Sequence, residues 1–446
     1  MQDTRFSLNL DQLKQLTQNV LHQAKLAGAS AAEAEVSLSF GQNISVRLDE
    51  VETIEYNRDK GLSVTVYFGQ QRGNASTSDL SPQALKDTVL AACSIARYTA
   101  QDPFCGLADA NLLASSTREL DLYHPWDISV DAAIQLAREC EAAAMATDKR
   151  INNSEGASVS AHESLFAYAN SHGFCQGYPT SRQGISCSVI AEQEDAMQRD
   201  YWYTTARAAG DMESAASVGR KAGERTVRRL GSRMIATQQA PVLFEASLAS
   251  GLISHLISAI SGGNLYRKSS FLLDYLGKPV FSPIVNISER PFLAKGLASS
   301  AFDGEGVATQ ERELVRDGVL QGYVLSSYSA RKLGMTTTGN AGGNHNLIIQ
   351  SGERDLDGLV KDMGKGLLVT ELLGHGINMV TGDYSRGAAG FWVENGEIQH
   401  PVEEITIAGN LKDMFLGIVA VGNDLLVQGS KQCGSILVNN MTIAGE

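Results

Sequence analysis

The chain has 446 residues, 43% hydrophobic and 20% charged, which describes an ordinary soluble globular protein long enough for two or three domains. With 50 acidic against 37 basic residues its net charge is −13, so it offers no electrostatic footprint for nucleic acid or an anionic lipid surface. No run approaches 18 consecutive apolar residues, and Met1 to Leu10, with Asp3 and Arg5, lacks the basic-then-apolar order of a secretory signal; no membrane span is expected.

Asn9 or Asp11 is placed to cap a first helix in which Leu10, Leu13, Leu16, Val20, Ala24 and Ala27 keep near-helical spacing, and Gly28 to end it. From Ala34 to Thr77 the apolar period changes to two. Gly41-Gln42-Asn43, Asp59-Lys60-Gly61 and Gly69 separate the runs and read as the turns of an antiparallel meander. Ser81-Pro82 starts a second helix at its cap and first position, with Leu85, Val89, Ala92 and Ala96 on one face. Residues 100–125 read as a connector, and Ser129 to Met145 as an alanine-rich third helix.

Two-residue alternation returns from 157 to 207, with Asn170-Ser171-His172-Gly173 and Asp211 as turns. A helix over about Asp211 to Leu230 stops at Gly231, and its basic cluster, Arg225, Arg228, Arg229 and Arg233, reads as a solvated face. Ala240 to Phe244 resembles a buried strand. The next helix carries a serine stripe (Ser247, Ser250, Ser254, Ser258, Ser261) beside an apolar face of Leu248, Leu252, Leu256 and Ala259, the pattern of a helix packed closely against something. Beyond it the chain is glycine-punctuated and strand-rich. The expectation is an α+β fold: an N-terminal helix–antiparallel sheet–helix region (1–110), a middle helix plus β-meander region (111–232) and a strand-rich, glycine-rich C-terminal domain (233–446).

Chemistry is sparse. Six cysteines (Cys93, Cys105, Cys140, Cys175, Cys187, Cys433) include no CxxC pair, which fits reduced thiols in a cytoplasm. His162-Glu163 lacks a second histidine at 166 or 167 and reads as a strand edge. His255 has Gly251 and Ala259 one turn away, so no helical partner completes a zinc site. His345 and His375 fall in glycine-rich loops, Gly342-Gly343-Asn344-His345-Asn346 and Gly374-His375-Gly376. Asp303-Gly304-Glu305-Gly306 offers two carboxylates in what is equally a solvated turn. No GxSxG elbow, Walker A or Rossmann fingerprint is present. From Glu371 to Glu397, glycines alternate with His375, Asn378, Thr381, Asp383 and Arg386, which reads as tight loops presenting polar groups.

That stretch carries a resemblance. Gly376-Ile377-Asn378-Met379-Val380-Thr381-Gly382-Asp383, Gly390-Phe391 and Val393-Glu394-Asn395-Gly396 resemble the C-terminal signature of the TldD/PmbA family. Phe302-Asp303-Gly304-Glu305-Gly306-Val307, Ser329-Ala330-Arg331-Lys332-Leu333-Gly334-Met335 with Thr338-Gly339-Asn340, and Gln432-Cys433-Gly434-Ser435 agree with its PmbA (TldE) branch. The resemblance implies a cytoplasmic metallopeptidase of two related subunits that cleaves peptides and unfolded segments, including microcin leader peptides and an antitoxin. The older family label, modulator of DNA gyrase, follows from that link and requires no contact with nucleic acid.

In the TldD branch an HExxxH helix motif and a later cysteine hold zinc. Here Ser254, His255 and Ala259 stand at the motif's place, no glutamate occurs between Glu245 and Glu289, and Cys433 comes about a dozen residues too late. The resemblance therefore implies a chain with no catalytic or metal residues and no cofactor of its own, paired with a zinc-carrying TldD-type subunit, with a homodimer open to the isolated chain. His345, Gly374, His375, Gly376, Asn378, Thr381, Gly382, Asp383 and Arg386 are the candidates for lining its substrate channel. Two alternatives stay open: a metallopeptidase using ligands among His255, His345, His375 and Cys433, and a non-enzymatic peptide-binding or scaffold protein.

Overall fold

The structure, a computed structural model, describes residues 5–116, 118–194 and 196–445. Asn9 caps the first helix, α1 (Leu10–Leu26), through a reciprocal box in which Asn9 accepts from the Gln12 amide and Gln12 accepts from that of Asn9. Ser81 caps α2 (Pro82–Tyr98), Ser129 caps α3 (Val130–Met145) and Ser214 caps α4 (Ala215–Arg228). The fourth helix thus starts later than Asp211, which instead ends a short 3-10 turn.

The alternating runs form one sheet, not two. Its strands β1 (Ala31–Arg47), β2 (Glu50–Phe68), β3 (Gln71–Thr77), β4 (Ile151–Asn170), β5 (Cys175–Gln193) and β6 (Ala196–Ala206) lie in the order β3-β2-β1-β4-β5-β6, so the sheet crosses the expected limit at 110/111. Gly41-Gln42-Asn43 and Asp59-Lys60-Gly61 are strand interior, correcting their reading as turns. At Gly41 an added Cβ would sit 2.5 Å from His162 Nδ1, so the missing side chain makes room for a cross-strand ring. The real turn is Leu48-Asp49, both left-handed (φ 51° and 67°), with both amides donating to the buried Glu141 carboxylate of α3 at 2.9 Å.

His162-Glu163 is likewise not at an edge: β4 pairs with β1 and β5. Glu163 is buried, paired with Arg5 and bonded by Tyr123 at 2.6 Å. Helices α1 and α2 cover one end of the sheet and α3 and α4 the other, each with its own apolar core.

The C-terminal domain follows through β7 (Gln238–Phe244), α5 (Ala246–Ala259) and α6 (Gly262–Tyr266). Short strands β8 (Ile287–Glu289), β9 (Arg312–Arg316) and β10 (Val319–Leu320) precede α7 (Ser327–Lys332), β11 (Leu347–Ile349) and α8 (Leu356–Met363). Then come β12 (Gly366–Leu373), β13 (Asp383–Glu394), β14 (Glu397–Asn410), α9 (Leu411–Leu416), β15 (Ile418–Val421), β16 (Leu426–Val427), β17 (Lys431–Cys433) and β18 (Ile436–Ala444). They build two sheets, β14-β13-β12-β7-β18-β15 and β10-β9-β8-β11-β17-β16.

The apolar face of α5 (Ala249, Leu252, Ile253, Leu256, Ala259) is buried in a core shared by both sheets, while α8 covers the opposite side of β7 and β12. The fold is α+β throughout. The connector fastens the domains: Arg331 of α7 donates to the carbonyls of Gly106 and Leu107, and Tyr328 donates to Asp102 at 2.6 Å.

Candidate functional site

The serine-striped edge of α5 opens on a groove. Its other walls are β6, which is the sheet's edge strand, the end of β12 and the 426–431 hairpin. Two hollows of about 210 and 170 Å3 share Tyr203, Ser247 and Gln428 and form one continuous cleft. Tyr201 and Tyr203 stack along it with centroids 6.3 Å apart. Gln428 donates to the Tyr203 carbonyl at 2.8 Å, so that end of the strand edge is already paired. Alternating tyrosines on the last strand of a meander were the one available sign of this wall.

The floor is ionic. Arg225 donates to both Glu245 oxygens at 3.0 and 2.8 Å and lies 3.4 Å from Asp200. Arg229 pairs with Glu371 and stands 3.8 Å from Asp200. Arg225 and Arg229 are only 13% and 12% exposed, which corrects their reading as a solvated face. They are the sunken side of α4, and their partners lie on β6, at the cap of α5 and on β12. Arg228 and Arg233 do remain at the surface, the former over the Phe391 ring at 4.6 Å. Because the buried arginines and carboxylates neutralise one another, the floor presents little net charge to a ligand.

Of the stretch from Glu371 to Glu397, residues 374–382 form a loop and Asn395-Gly396 the turn between β13 and β14. Asp383 and Arg386 belong to β13, where Gly387 and Gly390 are strand interior. Gly376 is dictated by space: a Cβ there would lie 1.7 Å from the Ser385 carbonyl oxygen. Gly382 turns the chain at φ 85°. The polar residues brace this turn. Asn378 accepts from Val380 and Thr381, Thr381 donates to Asp383 at 2.6 Å, and Asn410 donates to Asp383 and to the Thr381 carbonyl, each at 3.1 Å. Those side-chain bonds, Thr381's first, hold the Asp383 carboxyl below the usual range. Gly374 and His375 are exposed at the head of the loop.

Arg386 points elsewhere, donating to the Leu372 carbonyl at 3.3 Å and bearing on His255 of α5. Burial, then the Arg386 charge, pushes the His255 ring down to about 4, so it is neutral at physiological pH. The Tyr384 ring packs edge-on to His255 at 6.0 Å; its phenol is buried beside Arg386 and is pushed up to about 12 by burial.

His345 joins neither group. Its side chain is buried and bonds the Gly339 carbonyl at 2.9 Å, while its amide donates to Glu289 at 2.8 Å, within a network that includes Arg312 and Asn340. Asp303 is not in a solvated turn: its buried carboxylate accepts from the amides of Glu305, Val307 and Ala341, and burial pushes it up to about 6.

Among the described residues no group of three histidine, cysteine or acidic side chains converges. His255 faces a guanidinium, and Ser254 donates to its own helix at Ser250. Cys433 is buried, with its thiol on the Gly434 carbonyl, and burial raises it to about 12.

Three domain families match the chain: PmbA/TldA metallopeptidase domain 1 over residues 32–96, the central domain over 123–230 and the C-terminal domain over 237–445. The chain is 51% identical to the metalloprotease PmbA of Escherichia coli O157:H7 over 418 residues, covering 94% of this chain and 93% of that one. A metalloprotease TldD homologue of Haemophilus influenzae is 22% identical over 390 residues, 80% of this chain and 77% of the other. A crystal structure from Bacteroides thetaiotaomicron, whose name proposes a modulator of DNA gyrase, superposes with a TM-score of 0.92 at 29% identity over 98% of this chain and 99% of its own.

Proposed function

The chain belongs to the PmbA/TldD metallopeptidase family, and from that premise we propose that it is a PmbA/TldE-type subunit of a cytoplasmic peptidase whose zinc sits on a TldD-type partner. The observation that carries this reading is the donor set around His255. At the place on α5 where the TldD-type motif would stand there is one neutral imidazole facing an arginine, without a second imidazole or a carboxylate base. Such a set neither holds a metal nor activates water.

What the chain contributes is a wall of the substrate channel. The β6 edge, the stacked Tyr201 and Tyr203, Ser247 and Ser250 form a groove suited to an extended, unfolded peptide, whose backbone finds strand-edge donors and acceptors while its side chains meet aromatic faces. The exposed loop with Gly374 and His375 forms the rim, and Asn378, Thr381 and Asp383 hold that loop in shape.

Mixing tests the proposal. Peptidase activity on an unfolded peptide is expected from neither this chain nor a zinc-blocked partner, and to appear when this chain joins an intact TldD-type subunit. Ser247→Trp, which fills the groove, is expected to raise KM of the assembled enzyme while leaving its zinc content unchanged. Full activity of the partner without this chain, or an unaltered KM with Ser247→Trp, would contradict the reading.

A further inference from the structure

Beyond the groove, a further hollow of about 400 Å3 lies over β1, β4 and β5, with Arg182, Arg207, His162 and Asp59 in its lining and Leu297 of the C-terminal domain at its side. It continues the groove. Tyr201, Tyr203 and Thr205 alternate along one face of β6, and Arg182 donates from Nε to the Thr205 hydroxyl at 3.1 Å. Burial, then Tyr201, raises the Tyr203 phenol, and the Arg182 charge opposes that rise, so Arg182 stands near the groove as well as in the hollow.

The hollow has cations without counter-charges. Arg207, just past the end of β6, is 9% exposed and donates to the uncharged carbonyls of Ser181 at 3.0 Å and Leu297 at 2.9 Å, while its Nε has no hydrogen-bond partner. Among the described residues no carboxylate pairs with Arg207 or with Arg182. Asp211 is held by Lys295 at 3.0 Å, and Glu163 by Arg5 and Tyr123. Asp59, on β2, is three strands from Arg182 on β5, roughly 14 Å by strand spacing. A buried cation left unpaired is costly, and here a second one stands beside it: burial, then the Arg182 charge, pulls the Arg207 guanidinium below its ordinary value. The His162 ring, opposite Arg182 in the sheet, lies over Gly41. An anion seated between the two guanidinia would relieve both.

We propose that Arg182 and Arg207 anchor the C-terminal carboxylate of a peptide whose preceding residues lie over Thr205, Tyr203 and Tyr201. The inference rests on the channel reading and names which end of the peptide the channel holds. A guanidinium fork matches a planar carboxylate, and the run from Tyr201 to Thr205, roughly 13 Å, accommodates about four residues of extended chain.

Isothermal titration of the full chain tests this with an N-acetylated pentapeptide of leucine and alanine, as the free acid and as the C-terminal amide. The free acid is expected to bind about tenfold more tightly. Arg182→Gln and Arg207→Met are each expected to abolish that preference and to leave the amide's affinity unchanged, whereas Tyr203→Ala weakens both peptides alike. Arg182 is exposed, so its variant carries the test even where Arg207→Met fails to fold. Equal affinity of the wild type for the two peptides, or an Arg182→Gln chain that loses acid and amide together as a structural role would have it, overturns the anchor and leaves the channel standing. Inorganic phosphate that displaces the free acid at equal concentration would give the pair to a phosphate ligand and overturn it as well. Binding of neither peptide would overturn anchor and channel together.

Discussion

Replacing Arg225 by Met probes the joint on which the groove rests. The unbranched side chain keeps most of the apolar stem that lies against Trp202, so the charge is the main loss. Arg225 is 13% exposed, Asp200 6% and Glu245 11%, so the pair is buried and removal of one partner costs about 3–5 kcal/mol. Asp200 keeps Arg229 at 3.8 Å, and Glu245 keeps the Ser247 hydroxyl at 2.7 Å and the charge of nearby Arg228. The lower figure, about 3 kcal/mol near neutral pH, is therefore expected. Urea unfolding followed by tryptophan fluorescence reads it, Trp202 lying against the site. A deficit below about 1 kcal/mol, as for a surface pair, would refute the reasoning.

Glu141→Ala removes the acceptor of the Leu48 and Asp49 amides and is expected to cost about 2–3 kcal/mol, with faster amide exchange at both residues; unchanged exchange would contradict the turn's dependence on α3. Gly376→Ala forces the 374–382 loop off Ser385, and limited proteolysis should find that loop cleaved first. His255 is expected to titrate near 4 by NMR, and Arg386→Gln to raise that value. Because the folded ring is harder to protonate than the free one, its share of stability is present above about 6.5 and lost as pH falls toward 4. A midpoint near 6.5 would contradict the burial of the ring.

Local signals carried much of the fold. Asn9, Ser81 and Ser129 announced helix starts because capping is a matter of three or four residues. Gly41-Gln42-Asn43 misled because its glycine answers to the His162 ring on another strand, and the true turn at Leu48-Asp49 contains no glycine because Glu141 stabilises its left-handed backbone. The site was less legible. The glycine-rich stretch was visible, yet whether Asn378 and Asp383 brace a turn or face a ligand depends on Asn410, far along the chain. Arg225 and Arg229 read as a solvated face because Asp200, Glu245 and Glu371 reach them from three other elements.

Zinc stoichiometry tests the central claim most directly, measured by elemental analysis on the tag-free chain alone and in complex with a TldD-type subunit, alongside peptidase activity. The account predicts no stoichiometric, chelator-removable zinc in the isolated chain, zinc and activity together in the complex, and neither lost on His255→Ala. Stoichiometric zinc in the isolated chain, with peptidase activity that disappears on His255→Ala, would contradict it.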